Sequence, residues 1–283
     1  MSLGILTNVA ATNAENSLNQ TQNSLNTVLQ QLSSGSRINS GSDDAAGLSI
    51  SDGLTANEAA LTQSAQNAQN GVGLLQTADG ALSQVTNLLD RAVTLATEAS
   101  NGGLTAAQSG AANTEYQSIL TEIGNIGSST NFNSTGVFTA TATNFTVSDG
   151  TTAGTTTIAA TVGALTSASI GTATGGGAGQ SLATTDLTTT ADATTALSEI
   201  TTAIADVSNQ RGSIGANVNQ LNAASNVASA EEVNLSSAQS SILSTNFGQA
   251  TSDLAKFQVL DQTGISALAQ ANSTQQEILK LLQ

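Results

Sequence analysis

A chain of 283 residues with 2% aromatic and 9% charged residues, and with no Cys, His, Trp or Pro, has the length for one to three domains but few large side chains to organise a globule. Without Cys there is no disulfide, thiolate nucleophile or zinc–sulfur site, and without His the commonest general base and metal ligand is missing. A net charge of −15 against five basic residues excludes the basic clusters that neutralise nucleic-acid phosphates or dock on an anionic membrane.

In chain order, the opening MSLGILTNVAATNAENSLN has neither a basic nor an apolar signal segment, so export, if it occurs, is expected by a route other than Sec. Residues 5–34 set Leu18, Leu25 and Leu32 seven apart, with Val28 and Leu29 between them, a helical stripe. A strict heptad seam then runs Leu54, Leu61, Ala68, Leu75, Leu82, Leu89, Ala96. Its companions shift from Ala65 and Val72 to Ala78, Val85, Ala92 and Ala99. This predicts a helix from about Asp43 to Ser100, roughly 85 Å long. Asp43 and Asp44 are placed in its first turn against the helix dipole, and Asn101-Gly102-Gly103 ends it. A second helix is expected over Thr105–Ile126, with Gly127-Ser128-Ser129 as its stop.

Residues 139–190 are rich in Thr, Ser and Gly, with alternations such as Phe145-Thr146-Val147 and Thr157-Ile158-Ala159 that read as hairpins. Gly175-Gly176-Gly177-Ala178-Gly179 reads as a loop or flexible tip. Beyond it a second seam has one apolar line, Ile200, Val207, Ile214, Leu221, Ala228, Leu235, and one mixed line, Leu197, Ile204, Arg211, Val218, Ser225, Glu232. Two long seams in one chain predict an antiparallel intramolecular coiled coil, in which Arg211 is either a register device or an exposed residue at the seam's edge. Residues 243–282 place Leu243, Phe247, Ala250, Leu254 and Phe257 at steps of four and three; the spacing slips near Gly264 and resumes at Ile265, Leu268, Ile278, Leu279 and Leu282. Both ends are rich in Asn, Gln and Ser, so as monomers they are expected to be disordered until assembly supplies neighbours. The fold class is therefore mainly α: long antiparallel coiled-coil helices from both chain ends, with a small β-rich or irregular central insertion.

Chemistry is sparse. Asp43-Asp44 lacks a further carboxylate for a hard cation, the Gly175–Gly179 run lacks a phosphate-loop Lys, and no base is placed to activate a Ser. No enzyme activity, cofactor or metal is expected, and no apolar run approaches the roughly 20 residues of a membrane span. Asn133-Ser134-Thr135, Asn144-Phe145-Thr146 and Asn272-Ser273-Thr274 match the Asn-glycosylation pattern, and the central hydroxyls offer O-linked sites.

Leu32-Ser33-Ser34-Gly35-Ser36-Arg37-Ile38-Asn39-Ser40, followed by Asp43-Asp44-Ala45-Ala46-Gly47-Leu48-Ser49-Ile50-Ser51, resembles the N-terminal signature of bacterial flagellins. Ile5–Ala11, Thr130-Asn131-Phe132-Asn133, Asn209–Ala216 and Leu268-Ala269-Gln270-Ala271-Asn272 resemble further family segments in the right order. The resemblance implies a self-assembling subunit of the flagellar filament. Residues 1–42 and 237–283 would be inner-core helices, 43–138 and 191–236 an outer core, and 139–190 a surface-exposed variable segment. Assembly would engage Leu18, Leu25, Leu32, Leu254, Phe257, Leu268, Leu279 and Leu282. Partners would be further copies of the chain, an export chaperone, and the filament cap and hook–filament junction proteins; export would be by the flagellar type III system to the extracellular filament. By position Arg91, Leu95 and Glu115 resemble the family's contacts to Toll-like receptor 5. The alternative is that Leu95 lies beside the seam and that Arg91 and Glu115 are ordinary surface charges. A hook–filament junction protein and a secreted coiled-coil adhesin or translocator are the rival readings.

Overall fold

The structure is a computed structural model that describes residues 8–151, 153–172 and 177–281, with side chains described as far as Glu277. Its helices are α1 (Val9–Ser34), α2 (Ala45–Ala99), α3 (Ala106–Ser129), α4 (Thr190–Leu243) and α5 (Phe247–Leu281). Between α3 and α4 lie three antiparallel two-stranded ribbons: β1 (Asn131–Phe132) with β2 (Thr135–Gly136), β3 (Ala142–Val147) with β4 (Thr156–Thr161), and β5 (Ile170–Thr172) with β6 (Ala178–Gln180). The fold is mainly α with a β-containing insertion, as the periodicities require. The chain forms two compact units, residues 57–233 and residues 1–56 with 234–283.

In the unit of residues 57–233, α2 and α4 run antiparallel. Arg211 pairs with Asp79, and Leu221 lies where a Cβ on Gly71 would reach it. The α2 seam is closed: Leu75, Leu82, Leu89, Val85 and Ala92 have no exposed surface. On α4 the apolar line is buried from Ile200 to Ala228, while the mixed line, Arg211 included, is half-buried. A third α4 stripe, Ala193, Ala196, Ala203, Asp206 and Gln210, is buried as well, because the central segment covers it. Helix α3 opens with a capping box: the Thr105 hydroxyl accepts from the Gln108 N–H, and the Gln108 side chain accepts from the Thr105 N–H.

Three expectations change here. Gly127 is not a stop: α3 continues to Ser129, and a Cβ on Gly127 would lie 1.9 Å from the Leu165 carbonyl oxygen. Glycine at this position admits a close approach of backbone to helix. Asp43 and Asp44 precede α2 and do not sit in its first turn. Asp44 accepts the Gly47 N–H at 2.8 Å as a helix cap, while Asp43 accepts the N–H groups of Asn39 and Ser40 and closes the turn before it. The central segment is not wholly at the surface. Its strands alternate, so Thr side chains face out while Ile158, Ala160, Val162, Leu165, Ile170, Leu182 and Leu187 join the helical core. Asn113, Tyr116 and Gln117 of α3 anchor it: the Tyr116 hydroxyl bonds the Thr185 hydroxyl, Gln117 donates to the Thr185 carbonyl, and Asn113 accepts the Leu187 N–H. Of the expected Gly175–Gly179 tip, residues 175 and 176 lie outside the described residues, whereas Gly179 is in β6, where a Cβ would lie 2.1 Å from the Ile170 carbonyl oxygen.

In the other unit, α1 and α5 form an antiparallel pair. The Asn8 side chain donates to the Ala271 carbonyl (3.1 Å), Leu18 packs on Gly264, and the Thr245 N–H donates to the Gly35 carbonyl (3.1 Å). Gly35 ends α1 in the left-handed region (φ 71°), returning its N–H to Gln31. The Arg37 guanidinium then donates to the Ile242 carbonyl and its N–H to Leu243, satisfying last-turn acceptors of α4. The described parts of both ends, expected to be disordered before assembly, are helical in this structure, where the apolar stripe of each faces that of the other. The pairing is shallow: among the described residues of α1 and α5, only Val28 and Ala250 are buried apolar side chains.

Candidate assembly surface

The α1–α5 seam is a heptad on both sides. On α5 the half-buried or buried positions include Ala250, Leu254, Phe257, Asp261, Gly264, Leu268 and Ala271, which alternate steps of four and three without a break; Asp253, Ser273 and Gln275 are half-buried as well. The spacing therefore does not slip at Gly264; glycine occupies a seam position, and a Cβ there would be 3.1 Å from Leu18 Cδ1. Ile265, read from the sequence as part of the stripe, is 46% exposed. Leu18, Leu25 and Leu32 of α1 and Leu254, Phe257 and Leu268 of α5 are all half-buried along this intramolecular seam. Leu282 lies outside the described residues, as does the Leu279 side chain.

A different set is left outward: Val9, Leu29, Phe247, Val259, Leu260 and Ile265, with exposures from 42% to 64%. The sequence spacing placed Leu29, Phe247 and Ile265 in the stripes, and it passed over Val9, Val259 and Leu260 because they fall out of phase with each stripe. The available signal was the opposite one, apolar residues out of phase with a seam already complete. Two helices paired along one stripe each leave such residues facing solvent, where further burial would contribute about 1.5–3 kcal/mol per large side chain.

The receptor-type residues separate. Arg91 grips Glu115 through two hydrogen bonds, 2.7 and 3.1 Å, linking α2 to α3 with both side chains about half exposed. Leu95 is 2% exposed and belongs to the core, a correction to its reading as a surface contact. Helix α2 is covered by more than one neighbour, so its buried arc is wider than two heptad lines and takes in Leu95 beside Ala96. Arg211 forms the one other ion pair among the described residues, Nε to Asp79 Oδ1 at 2.7 Å, and is exposed enough to make that pair a minor contributor. No group of three or more Asp or Glu residues suited to a metal occurs among the described residues.

Four carboxylates are held below the usual carboxylate range by donors in the folded state. Glu115 is held by the Arg91 hydrogen bond, Asp43 by the N–H groups of Asn39 and Ser40, Asp149 by the Thr151 hydroxyl and N–H, and Asp186 by the Thr188 N–H and hydroxyl. A depressed folded pKa contributes stability that is complete above the unfolded value, about 4, and lost as pH falls through the folded value. The urea midpoint followed by far-UV circular dichroism is therefore expected to be flat near neutrality and to fall on acidification below that value. Asp186→Asn should reduce the slope, and a midpoint that rises in acid would contradict the assignment.

The profile of the bacterial flagellin N-terminal helical region matches residues 5–143, and that of the bacterial flagellin C-terminal helical region matches residues 197–282. A flagellin of Halalkalibacterium halodurans is 32% identical over 276 residues, covering 97% of this chain and 98% of its own length. A flagellin of Listeria innocua is 29% identical over 284 residues and covers 98% of both chains. The crystal structure of Bacillus cereus flagellin is similar over 57% of this chain and 88% of its own, with 30% identity and a TM-score of 0.46.

Proposed function

Because this chain belongs to the bacterial flagellin family, we propose that it is the structural subunit of a flagellar filament used in swimming, polymerising through the outward apolar positions of its terminal helices. The observation that carries the assembly mode is the exposed set on α1 and α5, outside a seam that the two helices already close between themselves. Electron microscopy of the purified chain under assembly conditions tests it. Long helical filaments support the reading, whereas short closed oligomers point to a hook–filament junction protein.

Export as an unfolded chain through the flagellar type III channel follows from the same reading, with an export chaperone holding the C-terminal helix and the filament cap and junction proteins at the two ends of the polymer. The shallow α1–α5 pairing supports it, since little buried surface must be surrendered to unfold that pair. No helix among the described residues is long and apolar enough to cross a membrane. Continued release of the chain from cells lacking the flagellar export gate would refute this route.

Recognition by Toll-like receptor 5 is proposed to rest on the exposed Arg91–Glu115 pair, with Leu95 held in the core one turn along α2 from Arg91. Arg91→Ala is expected to lower receptor signalling while leaving the fold intact, because the pair lies at the surface. Unchanged signalling by that variant of a signalling-competent subunit would refute the assignment.

A further inference from the structure

The sequence holds two Asn-Gly pairs, Asn70-Gly71 and Asn101-Gly102. Such pairs are prone to ring closure because glycine has no Cβ to hinder attack by its backbone nitrogen on the Asn side-chain carbonyl. Both asparagines are exposed, so access to water does not distinguish them. The backbone does. Asn70 and Gly71 lie within α2, where the Gly71 N–H is committed to the helix ladder. Gly71 is itself buried, with Leu221 and Phe145 2.9 Å from where its Cβ would be. Helical ψ at Asn70 holds the glycine nitrogen away from the side-chain carbon, so this stretch of α2 must open before the ring can close.

Asn101-Gly102 lies in the turn between α2 and α3. The Asn101 carbonyl accepts the Leu104 N–H at 3.4 Å and its own N–H donates to Glu98 at 3.1 Å. Among the described residues no hydrogen bond holds the Gly102 N–H, and a Cβ on Gly102 would meet nothing within 4 Å. The Gly102 nitrogen is therefore uncommitted and open to solvent in the folded state, and no helix ladder or packing has to open before it can turn onto the Asn101 side chain.

We infer that Asn101 is a site of spontaneous deamidation in the native protein. The Gly102 nitrogen bonds to Asn101 Cγ, and the side-chain nitrogen leaves as ammonia together with the proton lost from Gly102. Water then opens the resulting succinimide at either carbonyl, leaving aspartate or isoaspartate. Only water is consumed, and no oxidant, metal or catalyst enters. The product adds a negative charge to a chain already at −15. The isoaspartyl form also adds a backbone carbon to the turn just before the Thr105–Gln108 capping box. The inference depends on the folded subunit and not on filament formation.

The sequence supplies its own separation for the test. Cleavage after Arg37, Arg91 and Arg211 places Asn70 in residues 38–91 and Asn101 in residues 92–211. The full-length protein is incubated in warm, mildly alkaline buffer, once native and once in guanidinium chloride, and the peptides are followed by mass spectrometry with fragmentation to locate isoaspartate. In the native protein residues 92–211 should gain about 1 Da at position 101, at least about tenfold faster than residues 38–91 gain it at position 70. Unfolding should bring the two rates together, and Gly102→Ala should slow the native reaction. Equal native rates at the two sites, a ratio unchanged by unfolding, or an Asn101 that stays intact only in the native state would each overturn the inference.

Discussion

A Val259→Asp, Leu260→Asp double variant is expected to lose filament growth while its monomer keeps the helical content and thermal unfolding of the parent. Val259 is 63% exposed and Leu260 42% exposed, and neither belongs to the buried core, so the folded subunit depends on them far less than on the seam residues. In a polymer that buries them, each loses about 1.5–3 kcal/mol of apolar transfer, and each new carboxylate must be desolvated without a partner. Even a net loss of about 3 kcal/mol per subunit raises the critical concentration more than about a hundredfold. A seam substitution such as Leu254→Ala should do the reverse in sequence, lowering monomer helicity first and assembly only as a consequence. Sedimentation and electron microscopy read assembly, and far-UV circular dichroism reads the monomer. Normal elongation of the double variant would exclude this face of α5 from the subunit contact.

Gly171→Ala is expected to destabilise residues 57–233 by more than about 3 kcal/mol, as the sum of a backbone and a packing effect. Gly171 has φ 74°, a region in which an L side chain is strained, and its Cβ would lie 2.5 Å from Asp206 C and Val207 N in the backbone of α4. Neither atom is the flexible end of a side chain, so β5 must withdraw from α4 and take Ile170 out of the core. Gly80→Ala is the control with the opposite sign. It stands within α2 with nothing inside 4 Å of the added Cβ, and alanine there should stabilise the isolated subunit by about 0.5–1 kcal/mol. Urea unfolding of both variants checks the pair of signs. A Gly171→Ala midpoint equal to the parent's would show that the ribbon does not rest on α4 as described.

The parts of the fold legible in the sequence are those written as a repeat. Leu61 to Ala96 and Ile200 to Ala228 announce two long helices with one apolar face each, and their burial follows line by line. The absence of Cys and His removes the commonest nucleophile and general base from the sequence itself. Less legible were positions whose meaning depends on a neighbour distant in the chain. Leu95 reads as an edge residue because heptads count two lines, yet it is 2% exposed because α2 has more than one covering neighbour. The Thr-rich segment reads as surface from composition, but a strand needs only alternate apolar residues to bury one face, and Ile158 and Ala160 are enough to do so in β4.

The terminal helices divide along the same line. Periodicity determined that each carries an apolar stripe, because the 3.6-residue turn makes face membership a local property. Tertiary structure alone decided that Leu18, Leu25 and Leu32 on one helix and Leu254, Phe257 and Leu268 on the other line one intramolecular seam, that Gly264 stands in that seam, and that Val9, Leu29, Val259 and Leu260 remain outside it. A sequence specifies which side of a helix avoids water, but which neighbour covers that side is set by the path of the whole chain.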